Sequence, residues 1–381
     1  MKLPSLERWL SRSRVPGRLL TLAGLILRLP LRPFRHQNAP PKTILVLHHL
    51  LLGDTVMLAG LLSKLRQRYP NSAIHMAAPT ASVALFSARP YDVEVHPFNP
   101  RQVSTLLGLF RLWRPDLVII PAENRYSLLA AALGARHIVA FEGDSPAWKN
   151  WLIDELRSYP KAPMAWPDMA TLLVDGPPPP AFASNDWPQP AFRPYARPAK
   201  PYCVLHLGAS SPLRLWSPNR WKEIADWLHD QGYGVIWSTG PGEDKLVTTC
   251  DPAADYPSLA GQLDLCQLWD LLTNAALVVS PDTGVAHLAK ACGTPSVTLF
   301  GPGSAEIYGP GEFWKNHPYR FVSIPDFPCR DGRMLFERTS VSWVRHCAKP
   351  PSECPSARCM HALTSDMVRT AINSLLSQLK H

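Results

Sequence analysis

The first 40 residues lack an apolar run long enough to cross a bilayer. Their longest charge-free apolar stretch, Leu19 to Leu27, has nine residues, whereas a spanning helix needs about 20. A signal peptide tolerates so short a run, but Arg28, Arg32 and Arg35 follow it and no small-residue cleavage site appears. An excess of charge of one sign is missing from the body of the chain. The net charge is +9 over 381 residues, of which +7 sits in residues 1–40 and only +2 in the remainder. A near-neutral body excludes a broad nucleic-acid surface, which needs basic side chains spread over the folded domain. No C-x-x-C pair occurs among the eight cysteines, which argues against a zinc ribbon and for unpaired thiols in a reducing cytoplasm. Cys329, Cys347, Cys354 and Cys359 nevertheless crowd one polar segment, so metal binding or pairing there stays open. Internal repeats are absent as well.

What is present is an ordinary folded composition, 46% hydrophobic and 18% charged, in a chain long enough for two cores. Residues 1–40 mix Arg with Leu, Trp and Phe. They read as a basic amphipathic segment on an anionic membrane surface, or as a disordered basic tail. Nine prolines between Gly176 and Pro201 forbid a helix or a central strand, so residues 177–201 are expected to link two domains. The resulting division is 1–40, a first domain over 41–176, the linker, a second domain over 202–365 and a C-terminal helix over 366–381.

Each expected domain alternates buried strands with amphipathic helices. In the first, TILVLHHL, AIHMAA, LVIIPA and HIVAFE are strands, and VMLAGLLSKLRQRYP, VSTLLGLFRLWRP and RYSLLAAALGAR are helices. In the second, YCVLHLG, GVIWSTG, LVVSP and SVTLFGP are strands, and NRWKEIADWLHDQG, LCQLWDLLTNA and GVAHLAKACG are helices. Near-continuous apolar strands separated by helices imply an α/β fold with parallel sheets covered on both faces. In such sheets ligands sit at the carboxyl ends of strands.

The informative residues fall at those ends. In SPDTGVAHLAKACGTPSVTLFGP, Asp282, Thr283 and Gly284 open a helix after a strand, and His287 stands four residues past Thr283 on the same face. A helix start with a hydroxyl and an imidazole attracts phosphate. An ordinary N-cap with a packed histidine is the plainer alternative, and the second turn LFGPGSAE tilts the balance toward a ligand. Gly53 and Asp54 in LLLGDTVML follow the first strand. Asp54 is either an N-cap or a carboxylate able to take a proton from an attacking hydroxyl. Arg214, in LGASSPLRLWSPNRW, offers a fork for diphosphate oxygens. Gly240 and Gly242 leave room for a flat ligand, and Glu243 could accept bonds from sugar hydroxyls.

Taken in order, LGDTVMLAGLLSKLRQRYP, LRLWSPNRW, LAGQLDLCQLWDLLTNAALVVSPDTGVAHLAKACGTPSVTLFGP and CMHALTSDMV resemble glycosyltransferase family 9, the bacterial ADP-heptose:lipopolysaccharide heptosyltransferases. The resemblance runs from about Ile44 to the C-terminus. It implies the GT-B fold, two Rossmann-like domains facing across a cleft, and inverting transfer that needs no metal and no cofactor; no D-x-D motif of metal-dependent transferases occurs. It assigns Asp54 as the proposed general base and Arg214, where the family usually has Lys, to the donor phosphates. Asp282, Thr283, Gly284 and His287 match the donor loop, and Gly261 in LAGQ a glycine near the nucleotide. His48 and His49 stand where the family often has Arg or Lys, and with Arg125 they are the candidates for holding an acidic acceptor.

The implied partners are an ADP-heptose-like donor and a lipid-linked glycan acceptor, with a peripheral contact to the inner membrane through residues 1–40 on its cytoplasmic side. Two other functions stay open at this point. One is an epimerase or hydrolase of GT-B architecture, and the other is a non-catalytic nucleotide-sugar binder.

Overall fold

The computed structural model describes residues 14–28, 39–112, 114–338 and 341–379. The expectations for residues 1–13 and 29–38, Arg32 and Arg35 among them, lie outside the described residues. Over the described residues the chain begins with helix α1 (Val15–Arg28), strand β1 (Thr43–Leu47), helices α2 (Leu52–Met57) and α3 (Ala59–Arg68), and strands β2 (Ala73–Ala78) and β3 (Val93–Pro97). It continues through α4 (Val103–Phe110), β4 (Leu117–Ile120), α5 (Ser127–Leu133), β5 (His137–Phe141), β6 (Glu155–Arg157) and α6 (Trp166–Thr171). Then follow β7 (Tyr202–His206), α7 (Pro218–Asp230), β8 (Gly234–Ser238), α8 (Lys245–Cys250), α9 (Leu265–Thr273), β9 (Leu277–Pro281) and α10 (Gly284–Ala291). The last elements are β10 (Ser296–Phe300), α11 (Ala305–Tyr308), β11 (Tyr319–Ser323), α12 (Arg358–His361) and α13 (Ser365–Gln378).

These elements form two compact units. Of the described residues, one holds those up to Lys161 with 168–180, 334–338 and 341; the other holds 162–167, 181–333 and 342–379. Each contains one sheet whose strands all run parallel.

The first sheet has the order β3-β2-β1-β4-β5-β6, the order of dinucleotide-binding folds. Its central strands are apolar runs because both faces are covered. Ile44, Leu45, Val46 and Leu47 of β1 and Val118, Ile119 and Ile120 of β4 are all fully buried. The core on one face joins Leu45, Leu47, Val118 and Ile120 to Leu129 and Leu133 of α5, with Leu20 and Leu25 of α1 against it. Helix α1 docks through its glycines: a Cβ on Gly17 would lie 2.6 Å from Leu106 Cδ1, and one on Gly24 3.0 Å from Ala132 Cβ. Leu19, Ile26 and Leu27, by contrast, face outward, at 61%, 68% and 73% exposed.

The second sheet has the order β11-β10-β9-β7-β8. Counted from its own first strand this is the doubly wound order of flavodoxin-like folds, written from the other edge. Helix α13 closes its core with Val368, Ile372 and Leu375, spaced along one helix face and fully buried. Each such side chain contributes about 1.5–3 kcal/mol relative to exposure. Helix α9 starts where the sequence provides a capping box. The Asp264 carboxylate accepts from the backbone N–H groups of Cys266 and Gln267, and the Gln267 side chain accepts from Asp264 N–H.

Strands β3, β6 and β11 were not among the apolar runs read from the sequence, and all three lie at sheet edges. These three carry mixed, partly exposed side chains and so give no continuous apolar signal, unlike the largely buried edge strand β8. The proline-rich segment forms no helix beyond a short 3₁₀ turn at Ser184–Asp186. From residue 181 onward it belongs to the second unit. The buried Asp270 of α9 holds it, accepting from Gln189 Nε2 at 3.0 Å, Tyr195 Oη at 2.9 Å, and Arg197 Nε and Nη2 at 2.9 and 2.6 Å. Trp187 packs on Trp269 at 5.4 Å between ring centroids. Asp270→Ala should therefore release residues 188–198 to limited proteolysis while far-UV circular dichroism stays near wild type. A segment as resistant as before would show that proline stiffness alone holds it.

Candidate functional site

In each sheet the strand order reverses at one place, and the loops on either side of that place diverge and leave a crevice at the carboxyl ends of the strands. In the second unit the reversal lies between β7 and β9. The loop after β7 carries Arg214, and the turn after β9 carries Asp282 and Thr283. Both loops are fixed from below. Trp216 donates its indole N–H to Leu363 O at 2.9 Å and meets Trp221 edge-on at 5.1 Å. Arg214 Nη1 donates to the backbone oxygen of Asp282 at 2.8 Å and stands 3.9 Å from its carboxylate.

Thr283 is the N-cap residue of α10, in extended conformation, yet its side chain makes no cap bond. Its Oγ1 is buried without a hydrogen-bond partner, and so is Oδ2 of Asp282. A buried polar atom left unpaired costs about 1–3 kcal/mol, so two on adjacent residues at a helix start call for an explanation. Gly303, after β10, is required here, since a Cβ would fall 2.1 Å from Asp282 Oδ2.

Beneath these residues lie two further buried groups. His287 is 3% exposed, and burial first, then Lys290 and Arg214, holds its imidazole well below the ordinary range. It is therefore neutral, and its Nε2, 4.0 Å from Asp282 Oδ1, makes no ion pair. Lys290 is fully buried; its ammonium donates to Tyr308 O at 2.8 Å and sits 4.8 Å from the centre of the Tyr319 ring. Burial pushes it down to about 7 against an opposing pull from Asp282. Asp282 is in turn raised by burial and lowered by Arg214 and Lys290. The sequence reading passed over Lys290, because a lysine in mid-helix looks like a solvated face. Its position three residues after His287 in an otherwise apolar helix was the available signal.

The remaining donor candidates form a second group on the other side of β7, between it and β8. Glu243 Oε2 accepts from Gly240 N–H at 2.9 Å. A Cβ on Gly208, the residue two past β7, would lie 2.0 Å from that same oxygen. Gly261, at φ 67°, sits over the 240–242 turn, 3.6 Å from Gly240 O to where its Cβ would be. Gly208 thus belongs with Gly240, Gly261 and Glu243, although the sequence reading did not single it out. A glycine directly after a buried strand was its visible mark. The Glu243 carboxylate is committed to backbone at one oxygen.

In the first unit the reversal lies between β1 and β4. The loop after β1 carries His48 and His49 and leads into α2, and the loop after β4 carries Arg125. Asp54 is half-buried in the first turn of α2, whose N-cap position is Leu51. It is therefore not the N-cap of that helix, and Gly53 lies within the helix and not in the turn before it.

His48 is 1% exposed and its Nδ1 accepts from Leu50 N–H at 3.2 Å; burial and the neighbouring His49 push it down to about 3. His49 is lowered by burial, with Arg125, Arg14 and Arg101 adding to the effect, and its ring meets Phe98 edge-on at 5.8 Å. Arg125 pairs with Glu123 at 2.6 Å and lies over the Tyr126 ring. Phe98, Tyr126 and Arg125 line an apolar pocket of about 450 Å³ that Arg14, Arg18 and Leu22 of the α1 region complete.

A buried polar network fixes the Arg125 loop. Asn124 donates to Phe141 O at 2.7 Å and Asn150 Oδ1 at 2.6 Å. Arg338, with no exposed surface, donates to Asn124 Oδ1 at 2.7 Å and Glu142 O at 2.9 Å. It comes from the segment 334–341, which packs with the first unit although it lies far along the chain. All eight cysteines are free thiols.

Solved structures to which the chain is similar include heptosyltransferases. The Escherichia coli ADP-heptose lipopolysaccharide heptosyltransferase II aligns with a TM-score of 0.64 at 22% identity, over 89% of this chain and 100% of that one. The Escherichia coli heptosyltransferase WaaC, solved with ADP-2-deoxy-2-fluoro heptose, aligns with a TM-score of 0.62 at 16% identity, over 87% and 99% of the two chains. The fold is thus that of the GT-B glycosyltransferases.

Within that class the profile of glycosyltransferase family 9 (heptosyltransferase) matches residues 121–321, and the chain belongs to this family. Lipopolysaccharide heptosyltransferase 2 of Escherichia coli K12 is 25% identical over 70% of this chain and 85% of its own length. The chain is therefore a heptosyltransferase-like glycosyltransferase.

The buried lysine supplies a check on this geometry. An unfolded lysine titrates near 10.4 and Lys290 in the fold near 7, so between those values the unfolded chain binds the extra proton. Stability should then rise as pH rises from about 7 toward 10, the reverse of what a surface-paired lysine gives. Urea denaturation of wild type and Lys290→Met across that range tests it. Parallel curves for the two proteins would show that Lys290 is not buried as a strained cation.

Proposed function

We propose that the chain moves a heptose-like sugar from an ADP-sugar to a hydroxyl of a lipopolysaccharide core or related lipid-linked glycan, with inversion at the anomeric carbon. The observation that carries this reading is the pair of unpartnered buried atoms, Asp282 Oδ2 and Thr283 Oγ1, beside Arg214 at the start of α10. A nucleotide diphosphate-sugar supplies what they lack. Sugar hydroxyls donate to the carboxylate, and phosphate oxygens accept from the threonine hydroxyl, the first N–H groups of α10 and the Arg214 fork.

In the proposed step Asp54 takes the proton of the acceptor hydroxyl. The hydroxyl oxygen bonds to the anomeric carbon as the bond from that carbon to the diphosphate oxygen breaks. ADP leaves with the added negative charge, which Arg214, Lys290 and the helix start stabilise without needing to reorganise. His287 stays neutral, so it bonds an oxygen without adding charge. Gly240, Gly261 and Glu243 hold the nucleoside end, and transfer needs no metal. The adenine nucleotide is carried over from the WaaC complex.

The acceptor side is read from the first unit. Arg14, Arg18 and Arg125 surround an apolar pocket of about 450 Å³, and His49 stands beside Arg125. An anionic amphiphile matches that pattern, its charge at the arginines and its chain in the pocket. Among the described residues no helix is long and apolar enough to cross a membrane. Helix α1 instead buries glycine and exposes leucine, which suits a helix lying in a membrane surface. The proposed location is therefore peripheral, at the cytoplasmic face of the inner membrane.

Two outcomes are expected. Asp54→Ala should lower acceptor-dependent donor consumption by about 10²–10⁴-fold while ADP-sugar still raises the melting temperature. Near-normal turnover would remove Asp54 from the step, and donor consumption that ignores the acceptor would indicate a hydrolase or epimerase. Leu19→Ser/Ile26→Ser/Leu27→Ser should abolish sedimentation with anionic vesicles and leave donor binding intact. Unchanged sedimentation would rule out α1 as the membrane contact.

A further inference from the structure

Strand β3 is an edge strand held by β2 alone, and the pair shares an unusual set of side chains. The register places His75 against Glu94 and Ala77 against His96. Glu94 and His96 are two apart on β3, hence on one face of the sheet, and His75 joins them from β2. His75 Nδ1 lies 3.0 Å from His96 Nε2. The Glu94 carboxylate oxygens lie 3.8 Å from His75 Nδ1 and 3.7 Å from His96 Nε2.

Those distances can be compared with what an ion would demand. A tetrahedral zinc ion with ligands at 2.0–2.1 Å separates its donor atoms by about 3.3 Å. The observed 3.0, 3.7 and 3.8 Å bracket that value. Closing on an ion would take shifts of about half an ångström, within reach of side-chain torsions.

The surroundings fit as well. The histidine side chains are 14% and 20% exposed, so the donors are sheltered but reachable. Burial lowers both imidazoles, with Glu94 opposing, so both are neutral and each can offer a lone pair at neutral pH. The neighbouring cations are already paired. Arg89 meets Asp92 at 3.1 Å, and Arg66 meets the same residue at 3.5 Å while donating to the Tyr91 and Ser72 carbonyls. His75 and Glu94 also line a hollow of about 310 Å³, with room for a water as fourth ligand.

We propose that His75, Glu94 and His96 bind a divalent transition-metal ion of the zinc type. Two imidazoles and a carboxylate form a set that such ions favour over calcium or magnesium. The residues stand on β2 and β3, away from the loops after β1 and β4 that carry Asp54 and Arg125. The ion therefore acts as a clip fastening the edge strand to its neighbour, and it takes no part in sugar transfer.

The test uses the full chain, stripped with chelator and titrated with Co²⁺. Wild type should take up one equivalent with the weak visible bands of nitrogen and oxygen ligation. His96→Ala and Glu94→Gln should bind more than about 100-fold more weakly, since even the outer partners of metal ligands are worth 10–100-fold. Zn²⁺ should raise the melting temperature of wild type and of neither variant. Glu94→Gln keeps the shape of the side chain, so it guards against a misfolded alanine variant. Three results would overturn the proposal: no saturable cobalt uptake, uptake equal in wild type and both variants, or uptake marked by intense thiolate charge transfer, which would assign the ion to the cysteines. None of these bears on donor binding, which is measured separately with ADP-sugar.

Discussion

A parallel strand cannot turn straight back to its neighbour; it needs a crossover, and that requirement governs both units. Crossovers cover the two faces of each sheet, so β1, β4, β7 and β9 are buried on both sides and every loop able to meet a ligand is pushed to the strand ends. Where the strand order reverses, the crossovers leave on opposite faces and no helix fills the gap. In the second unit the gap separates β7 from β9, and its rim is made by Arg214, Asp282 and Thr283. In the first it separates β1 from β4, and its rim carries His49, Asp54 and Arg125. The chemistry at each place depends on loops of a few residues, while the position of those loops depends on the whole sheet.

Stability is given up at the turn after β9. Thr283 forgoes its cap bond, Asp282 keeps one oxygen without a hydrogen bond, and Lys290 is buried deeply enough to fall to about 7. Each feature is unfavourable in the fold by itself, and the proposed diphosphate-sugar would offset it. In that proposal the hydroxyl gains an acceptor, the carboxylate gains donors, and the buried ammonium gains an anion. Glycine makes these contacts geometrically possible. Gly303 and Gly208 stand where any Cβ would overlap a carboxylate oxygen, Asp282 in one case and Glu243 in the other. The loss is offset elsewhere, by apolar strands, by the tryptophan pair under Arg214 and by α13.

Helix α1 reverses the usual logic of a surface helix. Gly17 and Gly24, seven residues apart on one face, let it approach α4 and α5 closely, which leaves Leu19, Ile26 and Leu27 on the outside. Water disfavours that arrangement, and a membrane surface favours it. The pocket next to this helix is apolar inside and ringed by arginines. Docking and exposure thus serve a single purpose if the second substrate is an anionic lipid-linked glycan.

Reading the sequence reached the α/β class, the strands buried on both faces, the edge strand β8 and the polar turn after β9, because these are local signals. Apolar runs mark doubly buried strands, and a polar cluster after such a run marks a strand end. Edge strands β3, β6 and β11 escaped it, since half-exposed strands carry mixed side chains. Lys290, Arg338 and Gly208 escaped for another reason: each owes its role to residues more distant in the chain, Tyr308 and Tyr319, Asn124 and Glu142, and Glu243. The same holds for His75, Glu94 and His96, which look like unremarkable polar positions until parallel pairing brings two strands together. By itself, then, the sequence determined which segments are strands and helices and which residues could carry chemistry, through period and residue type. Tertiary structure alone decided which of those residues meet, because burial, and with it charge state and the need for a partner, depends on neighbours that sequence distance does not reveal.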